Sequence, residues 1–149
     1  MPVNRTLTCS SSRACTVGYV ETAVPVIKDF VGDAILNIAF IPFASVNNDY
    51  DDYASTVKQG LASLPYLINT VLPENGREVI EKADIIMVGG GNTFKLLHDI
   101  YEYKLLAFIR DKVNKGEHYI EWNAGSNIHG PTFWPTNYLT VIKPQGLNC

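Results

Sequence analysis

Residues 83–93, Ala83-Asp84-Ile85-Ile86-Met87-Val88-Gly89-Gly90-Gly91-Asn92-Thr93, decide how this chain folds. A continuous apolar run stopped by three glycines reads as a strand buried on both faces, over residues 83–88. Residues 93–115 then follow a helical pattern that breaks near residues 100–104 into two pieces. Strand, glycine turn and helix form the repeating unit of an α/β sheet. Working outward, residues 35–42 (Ile-Leu-Asn-Ile-Ala-Phe-Ile-Pro) make a second buried strand closed by a proline. Residues 66–71 and 119–122 are shorter strand candidates, residues 7–9 a frayed first strand, and residues 138–142 a further β-rich run. Helical patterns occupy residues 17–31, 50–64 and 74–82 between them. This alternation predicts an α/β fold: a three-layer, mostly parallel sheet with helices on both faces. With no internal repeat and no low-complexity linker, residues 1–149 read as a single domain. In such sheets, sites form where the C-terminal ends of strands meet helix N-termini. Three segments are expected there: Phe43-Ala44-Ser45, Gly89-Gly90-Gly91-Asn92 and Asn123-Ala124-Gly125.

Composition narrows the function. With 149 residues, 46% hydrophobic and only 18% charged, the chain is long enough for one real core. A net charge of −3 without a basic run excludes the electrostatic footprint of a nucleic-acid binder. No apolar run is long enough to span a bilayer, so no membrane partner is expected. The N-terminal residues lack the apolar stretch of a signal peptide. Cys9, Cys15 and Cys149 have neither metal-ligand nor disulfide-framework spacing, which makes a reducing cytoplasm the expected compartment. No set of His, Cys, Asp and Glu has ligand spacing, so no metal site is expected.

Two motifs carry chemistry. Gly89-Gly90-Gly91 lets backbone N–H groups approach a ligand closely, and Asn92 or Thr93 can cap the helix that follows. Such a loop can cradle a phosphate or donate to an oxyanion, or simply turn the chain tightly. It matches neither Gly-x-Gly-x-x-Gly nor the P-loop, which makes a nucleotide-binding domain the weakest reading. The second motif, Tyr119-Ile120-Glu121-Trp122-Asn123-Ala124-Gly125-Ser126-Asn127, has the layout of a nucleophile elbow, in which a strained turn lifts a serine from the end of a sheet. Here the central residue is Asn123, whose amide nitrogen is no useful nucleophile at neutral pH. Asn tolerates positive φ, so Asn123 can keep the strained turn while removing its chemistry. Glu121 stands where a small residue belongs, and is expected either to face solvent or to push the turn open.

Ile41-Pro42-Phe43-Ala44, then residues 83–94 with Val88-Gly89-Gly90-Gly91-Asn92-Thr93-Phe94, then Trp122-x-Ala124-Gly125-x-Asn127, resemble peptidase E. Pro131-Thr132 and Thr136-Asn137 continue the likeness, which runs from about Leu7 to the C-terminus. Cyanophycinases share the wider fold and elbow, but these segments look more like peptidase E. The resemblance implies a flavodoxin-like or class I glutamine amidotransferase-like fold. It also implies serine-type hydrolysis of dipeptides with an N-terminal aspartate, with no cofactor. On matching positions it places the nucleophile at Asn123 and the oxyanion hole at Gly90 or its neighbours Gly89 and Gly91, together with Ala124 beside Gly125. The family histidine would match beyond Cys149 and the acidic triad member later still, so the C-terminal part of the domain is expected to be missing. An acidic residue that usually follows the Thr-Asn pair is Tyr138.

No other residue takes the nucleophile's place. Ser126 lies about one helical turn past the apex and reads as a capping or packing serine. His129 reads as a surface or packing histidine, His98 and His118 as structural ones in a helix and at a strand start, and Asp49, Asp51 and Asp52 as acids that complement a helix N-terminus. The sequence therefore points to a peptidase E-like protein without catalytic competence. The alternative is a pseudoenzyme binding a small acidic dipeptide, or a protein partner that includes a second copy of itself.

Overall fold

A computed structural model of the chain describes residues 6–9, 23–47 and 49–122. Their elements run β1 (Thr6–Cys9), α1 (Val24–Val31), β2 (Asn37–Ile41), α2 (Tyr50–Gly60), β3 (Leu67–Thr70), α3 (Gly76–Lys82), β4 (Ile85–Val88), α4 (Thr93–Glu102), α5 (Leu106–Asn114) and β5 (His118–Trp122). Among the described residues the strands form one five-stranded sheet in the order β1-β5-β4-β2-β3. Every pairing is parallel, with Ile38 opposite Ile85 and Val88 opposite Glu121. The sequence expectation of a mostly parallel α/β sheet is met.

The continuous apolar runs are explained by burial on both faces. Alternate strand residues point to opposite sides, and both sets are covered. Ala39, Ile41, Ile86, Val88 and Tyr119 pack with Ile80 of α3, Leu96 and Ile100 of α4 and Ile109 of α5. Ile38, Phe40, Ile85, Met87 and Ile120 pack with Ile27 of α1 and Ala54 and Val57 of α2. The result is the expected three layers.

Element ends depart from the sequence reading for local reasons. Ile35 was expected in a strand but is 74% exposed, and β2 begins two residues later. There the Asn37 N–H donates to the Asp84 carboxylate at 2.8 Å, and that aspartate precedes β4 rather than lying in it. The described part of the first helix starts with a proline in its first turn and stops at Gly32, whose φ of +94° suits glycine. The long helical pattern after the glycines does divide, at Tyr103 to Leu105, where Lys104 takes a φ of +56°. The β-rich run at 138–142 and the first part of the 17–31 helix lie outside the described residues. No helix among the described residues is long and apolar enough to cross a membrane.

Candidate functional site

The strand order places a crevice at the C-terminal ends of β2 and β4. β2 lies between β3 and β4, so the chain goes one way across the sheet after β2 and the other way later. The helix after β2 covers one face and the helix after β4 covers the opposite face. Ligands of open α/β sheets bind at such a switch point. The crevice encloses about 420 Å³, between Ala44, Ser45 and Val46 after β2, Tyr53 and Thr56 on α2, and Gly90, Gly91 and Asn92 after β4.

The two turns are tied together. Gly89 N–H donates to Ile41 O at 3.1 Å and Asn92 N–H to Ala44 O at 2.8 Å. Gly91 has a φ of +142°, and a Cβ there would run into the Ala44 carbonyl, so close approach and backbone conformation both demand glycine. Gly89 is buried under Tyr53, whose hydroxyl a Cβ would meet at 2.5 Å. Asn92 caps α4: its side-chain oxygen accepts from the Lys95 N–H at 2.9 Å. Among the described residues, neither the Gly90 nor the Gly91 N–H donates to another backbone group. Both glycines are at least partly open to solvent. Such amides at a helix N-terminus can hold a developing negative charge.

A polar clamp that the sequence reading missed sits below the loop. Lys95 Nζ donates to Phe43 O at 2.9 Å, to the Tyr50 hydroxyl at 2.7 Å and to Asp99 Oδ2 at 2.7 Å. Tyr50 donates to the same carboxylate oxygen at 3.2 Å, and His98 Nδ1 lies 3.0 Å from Asp99 Oδ1. The Lys95 and Asp99 side chains are only 22% and 11% exposed. Burial works against both charges, yet the hydrogen bonds outweigh it. The bonds to Asp99 and Tyr50 raise Lys95 above the ordinary lysine value, and those from Lys95 and His98 lower Asp99 below the ordinary carboxylate value. The four-residue spacing of Lys95 and Asp99 was a readable helix pair. Nothing in the sequence announced Tyr50 or Phe43 as its partners.

The sequence-expected residues are distributed as follows. Gly89, Gly90, Gly91 and Asn92 come together with Phe43, Ala44 and Ser45. Asn123, Ala124 and Gly125 lie outside the described residues, as do Ser126 and His129. β5 pairs with β4 as far as Glu121, which stands opposite Val88, the residue before the glycine loop. Glu121 is 1% exposed, which removes the first of its two expected outcomes, facing solvent. By alternation it shares the face of buried Tyr119, against the apolar layer under α4. His98, expected to be structural, is instead exposed on α4 and touches the clamp through Asp99. His118 at the start of β5 packs edge-on to Phe30 with ring centroids 4.9 Å apart. Asp51 and Asp52 lie in the first turn of α2, as expected of acids that face a helix dipole. No group of three or more His, Cys, Asp or Glu among the described residues could hold a metal ion.

Comparison with known proteins agrees with this architecture. A model of peptidase family S51 matches residues 6–149. Peptidase E from Nostoc sp. is 41% identical over 148 residues, which cover 97% of this chain and 61% of that protein. Peptidase E from Haemophilus influenzae is 40% identical over 142 residues, covering 93% of this chain and 64% of that one. The chain thus spans about three-fifths of the length of the curated relatives it matches. A crystal structure of a candidate peptidase E protein from Listeria monocytogenes superposes with a TM-score of 0.76 at 23% identity, covering 97% of this chain and 74% of that one. A likeness at that identity speaks for the fold alone.

Proposed function

Because this chain belongs to peptidase family S51, we propose that it is a peptidase E-type scaffold that binds an aspartyl dipeptide without hydrolysing it. The observation that carries this reading is Asn123, which follows Trp122 where the family's serine nucleophile belongs. An amide side chain offers no electron pair able to attack a carbonyl carbon at neutral pH, and no neighbouring base changes that. The binding half of the reaction is better supplied. The Gly90 and Gly91 amides, which among the described residues donate to no other backbone group, stand at the N-terminus of a helix whose first turn carries no acid. The crevice beside them has room for the rest of a small dipeptide. The ligand class, a dipeptide with an N-terminal aspartate, comes from the family resemblance.

The test is hydrolysis of Asp-Leu by the purified chain, run beside an Asn123→Ala variant. No turnover above the variant is expected, with measurable heat of binding in calorimetry. Turnover by the parent that disappears in the variant would overturn the loss of chemistry. Absence of binding heat at millimolar dipeptide would overturn the ligand.

A further inference from the structure

We infer that Tyr53 is a positioning residue. Its hydroxyl holds the Gly90 carbonyl and thereby orients the Gly91 N–H that a ligand's carbonyl oxygen uses. The inference rests on the reading of the site given above and deepens it. The Tyr53 hydroxyl donates to Gly90 O at 3.0 Å. That carbonyl and the Gly91 N–H belong to one planar trans peptide unit and point in opposite directions. With the carbonyl turned toward α2, the Gly91 N–H is turned away from it. β5 lies on the far side of β4 from β2.

This peptide plane needs an external hold. Both of its flanking residues are glycines, so rotating the unit meets no Cβ, and Gly91 already lies at a φ of +142°. A flipped unit would present the Gly90 carbonyl where the N–H now stands, and two carbonyl oxygens repel. Next to it, Asn92 N–H is fixed on Ala44 O and Gly89 N–H on Ile41 O. Those bonds anchor the loop on either side, and among the described residues it is Tyr53 that holds the Gly90–Gly91 unit itself. The phenol can do this because its own position is set by the core. Its ring stands edge-on to Phe40, with centroids 5.1 Å apart and planes at 87°, and covers Gly89 closely enough to exclude a side chain there. The hydroxyl is thus held at a fixed point against a peptide that would otherwise turn.

The decisive variant is Tyr53→Phe, which keeps the ring against Phe40 and Gly89 and removes only the oxygen. Two readouts separate positioning from a structural role. In ligand-free protein followed by 15N amide spectra, the Gly91 signal should shift or split in the variant, while amides of β2 and β4 and the melting temperature stay in place. A Gly91 signal that does not move would overturn the inference. In calorimetry with Asp-Leu, the variant should bind about fivefold more weakly, as loss of one oriented hydrogen bond implies. Equal affinity would also overturn it. If neither protein binds Asp-Leu, the reading of the ligand fails, and the ligand-free amide spectra still decide the role of Tyr53.

Discussion

Gly91 and Gly32 both adopt positive φ, yet they are glycine for different reasons. At Gly32, with φ +94°, a Cβ would meet nothing within 4 Å, so only the backbone conformation is at stake. At Gly91 the same kind of conformation is combined with a backbone carbonyl, that of Ala44, in the way of any side chain. That carbonyl cannot swing aside, because it accepts the Asn92 N–H at 2.8 Å. Replacing Gly32 by Ala should cost about 1–2 kcal/mol, the usual strain of a non-glycine residue in this region. Gly91→Ala should cost at least about 2 kcal/mol more than that, since the clash is resolved only by opening the junction of the two turns. Urea unfolding of the two variants provides the comparison, and equal losses would mean that contact with Ala44 constrains nothing.

Between elements, the Lys95 clamp joins α4 to the turn after β2 and to the start of α2. Lys95→Met leaves the Asp99 carboxylate in place without its main cation, and should cost about 3 kcal/mol, the range seen when one partner of a buried pair is removed. The double variant Lys95→Met/Asp99→Leu should recover part of that loss, because no charge is then stranded. A double variant less stable than Lys95→Met would contradict the pairing. The pH dependence follows in sign. Asp99 titrates lower in the folded chain, so its contribution is present above the ordinary Asp value of about 3.9 and is lost as pH falls through the folded value. Lys95 titrates higher, so its contribution is present below about 10.4 and is lost as pH rises through its folded value. Melting temperature against pH should therefore show an acid limb that is shallower in Asp99→Asn. This clamp also marks the limit of what the chain reveals when read as a string. Strands β2 and β4 were legible because both their faces are apolar, and the helix after the glycines because Asn92 caps it. Strand starts were misread where a polar group does backbone work, as Asp84 does for Asn37. Of the candidate site, the glycine loop and the Phe43-Ala44-Ser45 turn were legible from strand endings alone. Tyr50 and Tyr53 were not, since their partners lie 45 and 37 residues away and no local pattern encodes such contacts.

At the scale of the molecule, a sheet covered on both faces carries its core up to the crevice by one face more directly than by the other. On the α1 and α2 face, fully buried Phe40 touches the ring of Tyr53, whose hydroxyl holds Gly90. On the opposite face, Ile86 is equally buried but packs within the layer under α3, α4 and α5. Phe40→Leu and Ile86→Val each remove core volume and should each lower stability by about 1 kcal/mol. Their effects on the crevice should differ. Losing the Phe40 ring lets the Tyr53 phenol settle toward the sheet and draws its hydroxyl from the Gly90 carbonyl. Ile86→Val leaves that contact alone. Calorimetry with Asp-Leu should then show weaker binding in Phe40→Leu and parental affinity in Ile86→Val, at matched stability by denaturant unfolding. Equal affinities in the two variants would mean that the loop keeps its geometry without support from the core beneath Tyr53, and that the coupling of fold to site runs through the α4 face instead.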